Sequence, residues 1–383
     1  MNNKSGDYVT QLSGEAQYKS FLPTSLEKLP PIKYDDSLVS SLVKASYLLG
    51  NLNGKADKIP DIGLFISMYI KKEALLSSQI EGTQVSLDDI LDPLIEDNQN
   101  LDVNEVLNYI QALNFAIKKL DELPLCNRLI LQTHEVLMEG LRGGETYTGE
   151  FRRTQNWIGH AGSTLSNARY IPPSPDDMIV AMSDLEKYFN QDDDTNILVK
   201  VALIHYQFET IHPFIDGNGR MGRLLIILYL MQQKILSQPI LYISYFLKLN
   251  RVEYYDRLTE VRAKGDYEQW ITFFINAIIQ ATDDSIQTID KLTELRSKNI
   301  ENIAALGRVK PNAELLYNYI EQSPIIDIQK TAQALNLSYN TVSTLVRNFI
   351  EMDILVQNEN VKRGKTYSYY EYLNILRKDT DIK

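Results

Sequence analysis

Apolar residues recur on a helical beat through most of this chain. Over 38-LVSSLVKASYLLGNL-52, Leu38, Leu42 and Leu49 share one face of a 3.6-residue repeat, which predicts a helix. The stretch 60-PDIGLFISMYIKKEALLSSQIEG-82 opens with Pro-Asp, a favourable helix start, and closes on Gly82, a favourable C-terminal cap. The same spacing predicts helices over 102–121, 125–140, 175–190 and 195–211, and another beginning after residue 219. Residues 1–35 are polar and then proline-punctuated, which predicts an extended arm.

One stretch departs from the helical rule. In 150-EFRRTQNWIGHAGSTLSNARYIPPSP-175, Trp157, Ile158, Tyr170 and Ile171 flank a Gly/Ser/Asn-rich centre, and Pro172-Pro173 closes it. That pattern predicts a β-hairpin in an otherwise helical protein. A charged helix over 282–302 leads into a different unit from about 308. There, 324–359 reads as helix, turn at 336-NLSYN-340 and second helix, and 354-ILVQN-358 and 366-TYSYYEY-372 surround 360-NVKRGK-365. A helix-turn-helix followed by a hairpin is a winged-helix pattern. The fold class expected is mainly α, with a helical N-terminal domain over 1–100, a central domain over 101–295 and the winged-helix domain over 308–383.

Bulk composition narrows the function classes. With 383 residues, 44% apolar and 23% charged, the chain has an ordinary globular make-up and room for two or three domains. The net charge of −11 lacks a nucleic-acid footprint. Residues 308–383 hold 10 Lys/Arg against 9 Asp/Glu, and the second helix offers only Arg347 against Glu351. Phosphate neutralisation needs several cations on one face, so this unit points to a protein contact rather than to DNA. The longest apolar run, 224-LLIILYLM-231, is far short of a bilayer span, and the N-terminus has no signal-peptide character; a cytoplasmic, non-membrane protein is expected. The lone Cys126 forms no internal disulfide and fits a reducing compartment.

The chemistry concentrates in 205-HYQFETIHPFIDGNGRMGRLL-225. Its inner 217-GNGRMG-222 has the G-x-G-x-x-G spacing of a dinucleotide loop, but the context is wrong. The preceding 198–214 carries a helical beat where a strand is needed, and no acid follows before Glu253. No Lys-Ser/Thr follows the glycines, so a P-loop is excluded as well. Read as a phosphate site, the same residues are coherent. Pro213 ends one helix, Gly217 and Gly219 free the backbone, and a new helix presents its N–H groups and positive dipole end. Arg220 and Arg223 share the first-turn face, where the dipole disfavours cations unless an anion binds. Asn218 supplies a further donor, Asp216 suits Mg²⁺ bridging phosphates, and His212 is placed for general-base work. His205 lies on the buried-type helix and is read as structural.

The stretch 212-HPFIDGNGRMGR-223 resembles the complete signature of Fic-domain proteins, H-P-F-x-D/E-G-N-G-R-x-x-R, at every defined position. The segments 148-TGEFRR-153 and 169-RYIPPSP-175 are similar to the family's approach to its target-binding flap, here about 154–173, and the N-terminal region and winged helix resemble larger bacterial members. The resemblance implies a helical Fic core that transfers AMP from ATP to a Ser, Thr or Tyr hydroxyl of a target protein, or of the chain itself. It implies that His212 takes the hydroxyl proton and that Asp216 holds Mg²⁺. The ATP-binding set it implies is Glu81, His212, Gly217, Asn218, Gly219, Arg220, Met221, Gly222, Arg223 and, for adenine, Tyr255. Within the signature Gly222 is incidental, because the pattern leaves its position undefined. The target would add to the flap as a strand.

A second motif, 77-SSQIEG-82, resembles the inhibitory S/T-x-x-x-E-G/N of autoinhibited Fic proteins. It implies that Glu81, flanked by Ser77 and Gly82, pairs with Arg223 and leaves ATP misaligned, in the class whose inhibitory helix is N-terminal. The competing readings are another Fic-type transfer, AMP removal, or a nucleotide-sensing winged-helix regulator. A homodimer rests on the resemblance alone.

Overall fold

The structure, a computed structural model, describes residues 4–57, 62–93, 100–141, 148–160, 162–358, 365–378 and 380. It is mainly helical, with two small antiparallel sheets among the described residues. The expected N-terminal arm is in fact a hairpin. Strands β1 (Gly6–Gln11) and β2 (Tyr18–Pro23) pair from Gly6↔Pro23 to Gln11↔Tyr18. Its strands lack a clean apolar/polar alternation, and the neighbouring Ser20 and Phe21 are both buried although they point to opposite faces.

Helix α1 (Asp36–Ala56) is capped by the Asp35 carboxylate, which accepts from the Leu38 N–H. Its Leu38, Leu42, Leu49 and Leu52 are buried, as the repeat predicts. Helix α2 (Ile62–Glu81) ends where Gly82 adopts φ 110° and the Thr83 N–H returns to Ser78 O at 3.3 Å. The expected Pro60-Asp61 start lies outside the described residues. A capping box on Ser86 and Asp89 then starts the short α3 (Leu87–Leu91). Helices α4 (Leu101–Leu120), α5 (Asn127–Leu137), α6 (Pro175–Asn190), α7 (Ile197–Ile211) and α8 (Asn218–Gln232) follow close to their expected positions.

Helices α9 (Ser244–Leu249) and α10 (Arg251–Lys264) precede α11 (Tyr267–Ala304), a 38-residue helix. The charged segment at 282–302 is therefore the second half of a long helix with one face buried from Tyr267 to Ile303. Helix α12 (Lys310–Gln322), strand β3 (Ile325–Asp327), helices α13 (Ile328–Leu335) and α14 (Tyr339–Glu351), and strands β4 (Val356–Gln357) and β5 (Thr366–Ser368) form the C-terminal unit, with sheet order β3-β5-β4. Residues 359–364, between β4 and β5, lie outside the described residues. The expected strand over 366–372 stops at Ser368. Tyr370–Arg377 forms helix α15, because Tyr372, Leu373 and Leu376 repeat on a helical face and are buried. No helix among the described residues is long and apolar enough to cross a membrane.

One apolar core joins the helices of both ends of the chain, from Leu26 to Leu376. Trp270 is fully buried in it and donates its indole N–H to Ala202 O at 2.8 Å. At the edge, Arg377 grips the Asp88 carboxylate with bonds of 2.9 and 2.8 Å, but their side chains are 28% and 48% exposed. Solvent screening leaves such a pair worth about 0–1 kcal/mol. Trp270→Ala is therefore expected to destabilise the chain by about 3–5 kcal/mol. Arg377→Ala is expected to cost no more than about 1 kcal/mol. Urea unfolding of the two variants checks the ranking.

Candidate functional site

The site is built where α7 gives way to α8. A residue before proline is disfavoured in the helical region, and His212 leaves the helix in the left-handed region at φ 50°, ψ 61°. That conformation costs a side-chain-bearing residue roughly 1–2 kcal/mol, and bonds on both sides hold it. The His212 N–H donates to Phe208 O at 2.9 Å, and its carbonyl accepts from Arg152 Nε at 3.0 Å and Asn156 Nδ2 at 3.3 Å. The loop then closes on itself. The Asn218 Oδ1 accepts from the Phe214 N–H at 2.8 Å and its Nδ2 donates to Phe214 O at 2.8 Å. Asn218 is buried and both its polar atoms bond Phe214, so its side chain braces the loop. Met221 is also fully buried; its side chain belongs to the core and not to the site.

The underside of the loop rests on a residue that sequence reasoning missed. His134 stacks on Phe214 with ring centroids 3.6 Å apart and planes 4° apart. Its Nδ1 accepts from the Gly149 N–H at 3.2 Å, which makes Nε2 the donor to Asp216 O at 3.0 Å. Burial pushes its pKa down to about 4, so this tautomer is neutral. On α5 it falls on the same stripe as Ile130 and Leu137 and gave no signal beyond core. Gly217 sits above it at φ 75°, where a Cβ would press into the Met138 sulfur at 2.8 Å.

The first turn of α8 faces the 77-SSQIEG-82 end of α2. The Glu81 carboxylate lies so close over Gly219 that a Cβ there would overlap Oε1. The same oxygen accepts from Arg223 Nη2 at 2.6 Å. Ser77 does more than steady α2: its Oγ accepts from Arg223 Nε at 2.8 Å and its carbonyl from Nη2 at 3.0 Å. Arg223 is 1% exposed. Burial alone would push the guanidinium down, and Glu81 more than offsets this, keeping it firmly charged. Desolvation pushes the Glu81 carboxyl up, and Arg223 outweighs it, holding the group below the ordinary carboxylate range. Behind them Glu73, a further residue missed, is buried on the same face of α2. It accepts from the Ser244 N–H and hydroxyl and from the Tyr109 hydroxyl at 3.4 Å, and burial raises its pKa to about 7. Residues 73, 77 and 81 thus form an i, i+4, i+8 line.

The two arginines do not act together here. Arg220 turns away to lie 3.7 Å from Glu105 Oε2 and 3.8 Å from Asp216 Oδ1, with Nη2 3.6 Å from the Met138 sulfur. It is buried, its Nε and Nη1 make no hydrogen bond among the described residues beyond the long Glu105 ion pair, and it does not line the cleft that holds Arg223. Helical spacing put both residues on one side of α8, but long side chains diverge according to what each end meets.

That cleft, about 550 Å³, brings together Glu81, His212, Asp216, Gly219, Arg223 and Tyr255. Tyr255 is half-buried on its α10 wall, whereas Tyr254 is buried and meets His205 Nε2 at 2.9 Å. His205 also reaches Gly222 O at 3.0 Å and is structural, as expected. Gly222 is not incidental: a Cβ would overlap Glu209 Oε1, a buried carboxyl raised to about 7 by desolvation. His212 is lowered to about 4, by burial first and then by the Arg152 charge, and is therefore neutral at ordinary pH. Asp216 is the exposed acid, with Oδ1 accepting from the Gly217 N–H at 2.6 Å. No group of three or more His, Cys, Asp or Glu that could hold a metal occurs among the described residues.

The flap forms the remaining wall. Its two sides meet at one bridged pair, Ile158↔Tyr170, with N–H···O distances of 2.8 and 3.1 Å. The ladder is shorter than the sequence suggests because the centre folds on local bonds, Thr164 to Asn167 and Trp157 Nε1 to Ser163 O. Arg169 ties the outer side to Asp256 of α10 at 3.1 Å.

Comparison with known proteins places this geometry. Residues 39–118 match the Fic/DOC family N-terminal model and residues 124–230 the Fic/DOC family model. Protein adenylyltransferase Fic of Drosophila melanogaster is 29% identical over 220 residues, and that of Drosophila erecta 30% over 220 residues. These alignments take in 55% of this chain and 40% of each relative, so the chain spans well under two thirds of the curated relatives it matches. A Fic family protein from Desulfovibrio desulfuricans G20 shares the fold with TM-score 0.58 at 20% identity, covering 88% of this chain and 97% of that one. Fic-1 from C. elegans (residues 134–508) does so with TM-score 0.51 at 22% identity, covering 68% and 75%. Residues 39–118 and 124–230 of this chain are thus a Fic/DOC N-terminal region and a Fic/DOC domain, and the signature loop lies in the second.

Proposed function

We propose that this chain transfers AMP from ATP to a hydroxyl of a target protein and that Glu81 restrains the transfer. The observation that carries the reading is that a neutral imidazole, His212, and the open N-terminus of α8 share one cleft in which Glu81 already occupies the anion position on Gly219 and Arg223. An anion site beside a neutral base is what in-line transfer from a phosphate ester needs.

The reaction follows from these parts. ATP lies with its phosphates across the first turn of α8, where backbone N–H groups and the dipole end attract them. Arg223 takes the terminal phosphate once Glu81 swings aside, since one buried cation cannot serve both anions. Burial and the Arg152 charge both disfavour the imidazolium, so the His212 imidazole is free to accept the hydroxyl proton. The hydroxyl oxygen bonds to the α-phosphorus and pyrophosphate leaves with the electrons of the broken P–O bond. Asp216 is the cleft's exposed carboxylate, a donor that suits Mg²⁺, an ion that prefers one or two carboxylates plus phosphate oxygens. When bound, Mg²⁺ supplies charge neutralisation on the phosphates. Tyr255 on the cleft wall offers a face for adenine. The bridged flap edge at Ile158–Tyr170 offers backbone groups to an extended target segment.

Glu81→Gly is expected to raise self-labelling from α-labelled ATP and Mg²⁺, and His212→Ala added to it to abolish the labelling. Equal labelling with and without His212 overturns the base assignment, and label arriving from the γ position identifies phosphate transfer instead. Release of AMP from a pre-labelled chain reports removal. The pH dependence has a definite sign. The His212 pKa is lowered to about 4, so the base is lost only well below the ordinary histidine range near 6.5. The labelling rate of Glu81→Gly at saturating ATP is expected to stay level from about pH 8 down to about pH 5.5. A limb centred near 6.5 in that profile contradicts a buried, neutral base.

A further inference from the structure

Arg152 has no place in the signature and no contact with the anion site, yet it is 1% exposed. A buried guanidinium ordinarily faces a carboxylate. Among the described residues no carboxylate lies within salt-bridge distance of this one. Its donors go to main-chain carbonyls on three separate segments. Nε reaches His212 O at 3.0 Å, Nη1 reaches Thr154 O at 3.2 Å, and Nη2 reaches Pro173 O at 2.5 Å. Its own N–H donates to Pro213 O at 2.9 Å. Desolvation lowers its pKa to about 10, so it remains charged at neutral pH.

Those carbonyls belong to His212 and to the two stems of the flap, which leaves the body at 154 and returns at 173. Neighbouring side chains repeat the pattern. Asn156 Nδ2 bonds both His212 O and Phe214 O, and Gln155 Nε2 bonds Pro172 O at 3.0 Å. Helices do not connect the flap to His212; this fork does. The planar guanidinium fixes three directions at once, which a lysine ammonium on a flexible stem cannot reproduce.

We propose that Arg152 is a positioning residue for the transfer, setting the distance between the His212 imidazole and a target segment lying on the flap edge. The inference rests on the AMP-transfer reading for its kinetic consequence and on geometry alone for its structural one. A misplacement of about 1 Å between reacting groups costs on the order of 100-fold in rate. The fork loses its span in both Arg152→Gln and Arg152→Lys, whereas only the latter keeps the charge.

The test uses the full chain. First, hydrogen exchange by mass spectrometry compares wild type with Arg152→Gln and Arg152→Lys. Both variants are expected to exchange faster in segments 154–158, 170–173 and 213–218 together, with α1 and α11 unchanged. Unchanged protection in the flap stems overturns the proposal, whatever the activity. If Arg152→Gln fails to fold by circular dichroism, Arg152→Lys carries the comparison. Second, each substitution is placed in Glu81→Gly. ATP affinity by calorimetry is expected to stay within about threefold, while the labelling rate at saturating ATP falls on the order of 100-fold in both. Full labelling in Arg152→Gln, or affinity falling in step with rate, overturns the positioning role. Absence of labelling in Glu81→Gly itself sinks the AMP-transfer reading, and hydrogen exchange alone then decides whether Arg152 ties the flap to His212.

Discussion

The buried Arg223 guanidinium is the constraint around which the rest of the site is arranged. It sits in the second turn of α8 and is almost wholly removed from water. Such a charge needs an anion, and here the anion is Glu81 at 2.6 Å. A fully buried pair costs roughly 3–5 kcal/mol to break, and an exposed one contributes about 0–1 kcal/mol. Glu81 keeps 37% of its side chain exposed, so this pair lies between those limits. Hydrogen bonds to a charged group contribute about 1.5–3 kcal/mol. The pair is thus balanced between a surface ion pair and a fully buried one.

That balance explains why the line behind Glu81 matters. Ser77 holds two further Arg223 bonds, through its hydroxyl and its carbonyl, on donors beside the one Glu81 takes. Glu73 anchors the same face deeper in, through Ser244 and Tyr109. The cation is thus held by Ser77 as well as by Glu81, and Glu81 by one ion pair.

Legibility from the sequence followed the same division. Helices announced themselves because their apolar residues repeat, and the signature announced itself because its residue types are chemically unusual in that order. The fine roles inside it did not follow. Asn218 carries polar atoms that suit a ligand, but the tight turn from Phe214 claims both. Arg220 and Arg223 share a helical spacing but meet different neighbours. Gly222 looks free until the Glu209 carboxyl is found where its Cβ would stand. Arg152 and His134 act through main-chain carbonyls, which are the same for every residue type, so no pattern of side chains could have named their partners. The β1–β2 hairpin was hidden for a related reason: its ladder, and the Phe21 N–H bond to Ile171 O at 2.9 Å beside the flap, are backbone contacts.

The end of α2 shows how Glu81 can move. Two residues before it, Gln79 Nε2 donates to Val85 O at 2.8 Å and to Thr380 O at 3.0 Å, and its Oε1 accepts from Lys248 Nζ at 2.7 Å. Farther along the chain, Asp88 of α3 is held by Arg377 of α15. The backbone bearing Glu81 is thus pinned from α9, from the turn into α3 and from the C-terminal end of the chain. Unwinding the last turn of α2 would break the Gln79 bonds together, whereas rotating the Glu81 side chain breaks one ion pair. The cheaper route is rotation, and Gly219 has no side chain to obstruct it.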